Sequence, residues 1–187
     1  VSQHTITDWD AYNQELIERL GLDNKLIRVI TSKAKRNVMR VVFAEADSYK
    51  ILKSAQIVND EGIAKPILLG NVEKITGMIK DNNLDLKGIP IIDPRSKAEE
   101  KTRHRFGDNL YDKRRRRGLT LYESRKLMQE RNYFGASMVD TGAADVLISG
   151  LTRKYPDTIR PALQVIGVAE GVRRIAGMYI IITKRGP

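Results

Sequence analysis

Short apolar runs separated by amphipathic stretches constrain this chain more than any other feature. The runs are RVVFAEA (Arg40–Ala46), KPILLG (Lys65–Gly70), IPII (Ile89–Ile92) and DVLIS (Asp145–Ser149). Each is too short for a buried helix, and each is continuously apolar rather than alternating, so the strand it forms is expected to be covered on both faces. The segments between carry helix signals. Asp47 or Ser48 caps a helix through Ile51, Leu52, Ala55 and Val58, which Gly62 closes. A second helix is expected at Val72–Lys80, two or three more between Ser96 and Gly142, and another at Thr158–Gly167 before a last apolar strand, Ile175–Thr183. This alternation predicts an α/β fold, three-layered (αβα) with a mainly parallel sheet. Such sheets bind ligands outside the carboxyl ends of their strands, here the loops after Ala44, Gly70, Ile92 and Ser149.

Two helical patterns precede the first strand. Thr7–Asp10 reads as a variant capping box before Trp9, Tyr12, Leu16 and Leu20 at helical spacing, with Gly21 at the end. Asn24–Arg36 then carries Leu26, Val29, Ile30 and Ala34 on one side and cations on the other. Residues 1–37 are therefore expected to form a helical connector arm, with Trp9 as a packing anchor.

Composition narrows the chemistry. The 187 residues hold no cysteine and two histidines, His4 and His104. Disulfides, thiolate metal ligands, a cysteine nucleophile and a histidine metal cluster are thereby excluded. No Walker P-loop or glycine-rich dinucleotide fingerprint is present. With neither a membrane-length apolar run nor a signal-peptide pattern, the chain is expected to be soluble and cytoplasmic. The net charge of +10, from 33 Lys and Arg against 23 Asp and Glu, calls for an acidic partner: nucleic acid, a membrane surface or a phosphate-rich small molecule.

Two cationic segments stand out. In SGLTRKYPDTIRPALQVIG (Ser149–Gly167), the residues Ser149, Thr152, Arg153, Lys154 and Tyr155 follow a strand in a turn-rich loop. A helix is expected to open near Asp157 and Thr158, with Arg160 and Pro161 in its first turn. Free N–H groups at such a start favour anions, and an arginine adds a charged fork for phosphate. An ordinary β–α connection with a solvated arginine is the alternative. In KRRRRG (Lys113–Gly118), helical phase puts Arg114 one turn after Phe106 and Leu110, beside the buried stripe, where its guanidinium needs a carboxylate or phosphate. Arg115, Arg116 and Arg117 are expected to face solvent, and Met128 and Met138 to fill the core. Asp140 and Asp145 lack a paired acid–base group and read as cap or turn residues.

Together these segments resemble the phosphate acetyl/butyryltransferase family. The matching stretches are RVVFAEAD (Arg40–Asp47), DEGIAKPILLG (Asp60–Gly70), IIDPRS (Ile91–Ser96), RRRRGLTLYES (Arg114–Ser124), Asn132–Gly167 and AGMYIIITKRGP (Ala176–Pro187). The resemblance implies the first lobe of a two-lobe, isocitrate/isopropylmalate dehydrogenase-like fold, with an acyl-CoA and phosphate site in the cleft. On that reading, residues 38–170 form the lobe and residues 171–187 begin a truncated second one. Motif matching puts two family arginines that hold the acyl phosphate at Arg114 and Arg160, with Ser149, Thr152 and Arg153 beside them. The family's Ser-Arg pair and catalytic Asp have no counterpart here, so no complete catalytic set and no metal site is expected.

The arm, and Arg153, Lys154 and Tyr155 where active transferases more often carry small and hydroxyl residues, make the chain similar to the carboxy-terminal part of hybrid NADP-dependent malic enzymes. The resemblance then implies an acetyl-CoA-sensing regulatory and assembly domain that forms homo-oligomers and binds acetyl-CoA or phosphate. Its partner would be a malic domain of the same polypeptide, and NADP and a divalent metal would belong to that domain. The rival reading is the first lobe of an active phosphate acetyltransferase; a third is a basic nucleic-acid-binding module. If the charge serves a small anionic ligand, mixed-sequence duplex DNA is expected to bind only weakly and to dissociate by about 0.2 M salt. Retention at that salt in a filter-binding titration would favour the nucleic-acid module.

Overall fold

The computed structural model describes residues 8–10, 12, 27–173, 175 and 177. Val38–Arg174 form one compact unit, and the residues flanking it on both sides belong to another. In the flanking unit, residues 27–36 are helical and Trp9 meets Tyr12 edge-on at 6.1 Å. Most of the first helix expected in the arm, and most of the expected strand Ile175–Thr183, lie outside the described residues.

In the main unit the chain runs β1 (Met39–Phe43), α1 (Tyr49–Asp60), β2 (Ala64–Leu69), α2 (Val72–Asp81), β3 (Ile91–Ile92) and α3 (Glu100–Arg114). A 3-10 turn (Arg115–Arg117), α4 (Leu121–Leu127), α5 (Arg131–Asp140), β4 (Val146–Ile148) and α6 (Tyr155–Val165) follow. The strands pair in the order β3-β2-β1-β4, and every pairing is parallel. Neighbouring residues of β1 serve opposite faces. Val41 and Phe43 join Leu52, Ala55, Leu68 and Ile75 in a core under α1 and α2. Val42 joins Phe106, Leu110, Met128, Phe134 and Val165 in a second core under α3 to α6. The continuous apolar character of Val41, Val42 and Phe43 is the direct consequence: with both faces covered, these three positions leave no room for a polar residue.

Two departures from the expected boundaries have local causes. The chain turns at residues 44–48, so β1 ends at Phe43. β3 shrinks to Ile91–Ile92, and Pro90 contributes only a carbonyl, which accepts the Leu68 N–H at 2.9 Å. That pairing also explains Pro66 within β2. Leu68 and Gly70 donate toward β3, so the nitrogen of Pro66 points to the same side, before β3 has begun, where no donor is needed.

α3 and α4 touch at Gly107, where an added Cβ would lie 2.7 Å from the Arg125 Cα and 3.0 Å from its backbone nitrogen. Backbone atoms cannot swing aside as a side-chain tip does. Gly107→Ala gains about 1 kcal/mol of helix propensity but forces the helices apart, at a cost of about 1–3 kcal/mol. A net loss of up to about 2 kcal/mol is expected, read as a lower thermal midpoint.

Candidate functional site

β1 and β4 lie side by side, yet the chain leaves β1 for the α1 face and β4 for the α6 face. Such a reversal opens a crevice at the carboxyl ends of the two strands. A cavity of about 400 Å³ occupies it, lined by Glu45 and Asp47 after β1, Arg131, Asn132 and Tyr133 on α5, Thr152 and Arg153 after β4, and Asp157 and Arg160 on α6.

The loop after β4 is shaped by an internal anion. Gly150 and Leu151 donate their N–H groups to Glu45 Oε2 at 3.0 and 2.7 Å, and the Thr152 N–H and hydroxyl reach Oε1 at 3.0 and 2.7 Å. Gly150 takes φ of +114°, which a side chain would disfavour. Successive N–H groups aimed at one point form an anion-binding nest, and here a carboxylate fills it. Burial pushes the Glu45 carboxyl up, but the Thr152 hydroxyl and the loop N–H groups outweigh that and hold it below its ordinary value.

α6 begins at Tyr155, three residues before the sequence reading places it, with Pro156 in the first turn. Arg160 therefore lies in the second turn, and Pro161 is interior to the helix. An interior proline leaves the carbonyl four residues earlier without its partner. That carbonyl belongs to Asp157 and accepts Asn132 Nδ2 at 3.0 Å. The other end of the Asn132 amide accepts the Ser149 hydroxyl at 2.8 Å. One side chain on α5 thus ties the end of β4 to the start of α6.

On the opposite wall, Arg131 grips Asp47 with both nitrogens, at 2.6 and 3.1 Å, and Lys74 stands 3.5 Å from the same carboxylate. Hydrogen bonding to Arg131 is the main cause that brings the Asp47 pKa down to about 2. Tyr133 donates to Gln164 Oε1 at 2.6 Å; burial raises its pKa, against the pull of Arg160 and Arg114.

The arginines singled out in the sequence divide into two kinds. Arg153 and Arg160 are exposed, line the cavity, and make no hydrogen bond or ion pair among the described residues. Arg114 is half-buried, as its phase requires, but its partner is neither carboxylate nor phosphate. It donates to the carbonyls of Gln164 at 2.9 Å and Leu163 at 2.6 Å, while Lys113 reaches that of Val165 at 2.9 Å. These are the orphan carbonyls that end α6, where cations are favoured. Arg114 and Arg160 line a common shallow groove beside α6, but they do not meet at a helix start as the sequence reading expects. Arg115, Arg116 and Arg117 are exposed. Asp140 pairs with Lys113 at 2.6 Å, and Asp145 with Arg40 at 2.7 Å; neither lines the cavity. Among the described residues no group of three or more His, Asp or Glu is placed to hold a metal ion. No helix among them is long and apolar enough to cross a membrane.

The sequence reading missed Glu45, Asp47, Arg131 and Asn132. Their signal lay in position, since Glu45 and Asp47 directly follow a buried strand, which is where parallel sheets build sites.

Fold and cavity define an α/β protein with a crevice at a topological switch point. The family model for phosphate acetyl/butaryl transferase matches residues 25–187, and the chain belongs to that family. Phosphate acetyltransferase from Helicobacter pylori is 34% identical over 154 residues, which cover 82% of this chain and 29% of that protein. Phosphate acetyltransferase from Thermoanaerobacterium thermosaccharolyticum is 33% identical, over 83% of this chain and 46% of that protein. The EutD phosphotransacetylase from Staphylococcus aureus matches with a TM-score of 0.68 and 30% identity, over 80% of this chain and 44% of that one. The chain therefore spans less than half the length of these relatives. They bear out the fold and the family, and lend no support to a malic enzyme parent.

The Asp47–Arg131 pair makes a testable contribution to stability. Its folded pKa of about 2 lies below the ordinary 3.8, so the stabilisation is present above about pH 4 and is lost as pH falls toward 2. Asp47→Asn is expected to cost about 1–2 kcal/mol at pH 7, allowing for screening of a partly exposed pair. Urea unfolding at pH 7 and pH 3 checks it: the gap between wild type and variant narrows at the lower pH.

Proposed function

We propose that this chain is the phosphate- and CoA-binding lobe of an acyltransferase that exchanges acetyl groups between acetyl phosphate and CoA. The observation that carries the reading is the pair Arg153 and Arg160: two cations without a carboxylate partner on a switch-point cavity, in a chain of this family. The reading of the chain as an acetyl-CoA-sensing domain of a hybrid malic enzyme finds no support in the relatives and stands behind it.

The chemistry follows from charge. A CoA thiolate attacks the carbonyl carbon of acetyl phosphate, the C–S bond forms, and the C–O bond to phosphate breaks. Negative charge grows on the leaving phosphate oxygens, and guanidinium groups already in place stabilise it there. Arg160 stands on a helix whose far end is fixed by Lys113 and Arg114, so the backbone that carries it is held before a ligand arrives. Arg153 comes from the loop clamped by Glu45. The ligands are proposed to be inorganic phosphate, acetyl phosphate and acetyl-CoA, with no metal or redox cofactor supplied by this lobe.

Calorimetric titration of this chain with phosphate and with acetyl-CoA tests the reading. Arg160→Ala is expected to weaken binding about tenfold or more, the worth of one charge-assisted contact, with the melting temperature nearly unchanged. Arg114→Ala should instead lower the melting temperature, because it strips a cap from α6. Absence of binding by the wild-type chain would refute the assignment.

A further inference from the structure

We propose that Glu45 is the positioning residue of the cavity: its carboxylate is the built-in anion of the Gly150–Thr152 nest, and the placement of Arg153 depends on it. The register of the sheet makes the contact. Phe43 pairs with Ile148, and the last rung of the β1–β4 ladder is the Ala44 N–H to the Ile148 carbonyl at 3.1 Å. Two residues beyond each paired position stand Glu45 and Gly150, so the Glu45 side chain continues the ladder past the point where backbone pairing stops.

Each partner needs the other. Glu45 is 3% exposed, and a carboxylate that buried is costly without donors. The loop in turn holds three successive N–H groups converging on one acceptor, an arrangement that an anion stabilises. Arg153 is the next residue after the clamped Thr152, and α6 begins at Tyr155. The clamp therefore sets the path of the chain through Arg153 into the helix that carries Arg160. An isosteric amide cannot replace the carboxylate. Its NH₂ group would face the donors of Thr152 or Leu151.

The functional part of this inference rests on the anion-site reading above; the conformational part does not. The test is amide hydrogen exchange of the 187-residue chain, with Glu45→Gln as an isosteric variant and Glu45→Ala as a truncation. Exchange at Gly150, Leu151 and Thr152 is expected to rise about tenfold or more in both variants, while the amides of β1 and β2 stay protected. Added acetate should restore protection in Glu45→Ala by occupying the emptied nest. Affinity for inorganic phosphate should fall in Glu45→Gln about as far as in Arg153→Ala. Unchanged exchange at the three amides, or a rise spread evenly through the sheet, overturns the proposal. So does tighter phosphate binding by Glu45→Ala with the nest amides protected, which would make the nest an external anion site that Glu45 blocks. A wild-type chain that binds no phosphate refutes the functional reading instead, and exchange alone then decides the role of Glu45.

Discussion

The double pairing of β1 is the constraint from which the rest of the molecule follows. It is hydrogen-bonded to β2 on one side and β4 on the other, and the chain leaves β1 and β4 toward opposite faces. No helix can cover the carboxyl ends of both strands at once, so a crevice is built into the topology. The same pairing decides which residues meet there. Segments distant in sequence, Glu45–Asp47 and Gly150–Arg153, become neighbours because Phe43 and Ile148 are partners in the ladder.

Electrostatics then sorts the charges of the crevice into those that build it and those left over. Glu45 is consumed by the loop nest and Asp47 by Arg131, so the two acidic residues nearest β1 offer no free carboxylate to a ligand. Both are held below their ordinary pKa values by these donors and stay ionised at neutral pH. Among the described residues, Arg153 and Arg160 are left unpaired in the wall, together with the carboxylate of Asp157 and with Glu130, which Arg95 approaches at 3.6 Å. Tracing the hydrogen bonds thus separates the charges that build the wall, Glu45, Asp47 and Arg131, from those that remain on it, Arg153, Arg160 and Asp157.

Much of the fold was legible in the sequence because buried parallel strands leave an unmistakable trace. Continuous runs such as RVVF and PILL fit no surface element, and Gly62, at φ +65°, follows the first helix as that reading expects. Boundaries were less legible. The start of α6 was misplaced because two prolines compete for the role of helix-start residue, and only the contact between Asn132 and the Asp157 carbonyl shows that Pro161 is tolerated inside. The capping box Thr120–Glu123, which opens α4, has a plain sequence signature and went unread. The site was half legible. Arg153 and Arg160 could be found from chemistry and helix position, whereas Glu45 and Arg131 act through partners far away in sequence, which no local pattern reveals.

Arg114 shows why a cationic motif is a poor guide to a ligand until its partners are known. Its phase was read correctly: it does flank the buried stripe defined by Phe106 and Leu110. A half-buried guanidinium does not require an anion, because a helix end offers the same relief. The carbonyls of Leu163, Gln164 and Val165 carry the partial negative charge of the α6 terminus, and Lys113 and Arg114 together satisfy all three. Two of the cations in the basic run therefore fasten α6 against α3, and through α6 they fix Arg160 at the cavity. The charge of this segment acts at one remove. It holds in place the helix that carries a free arginine.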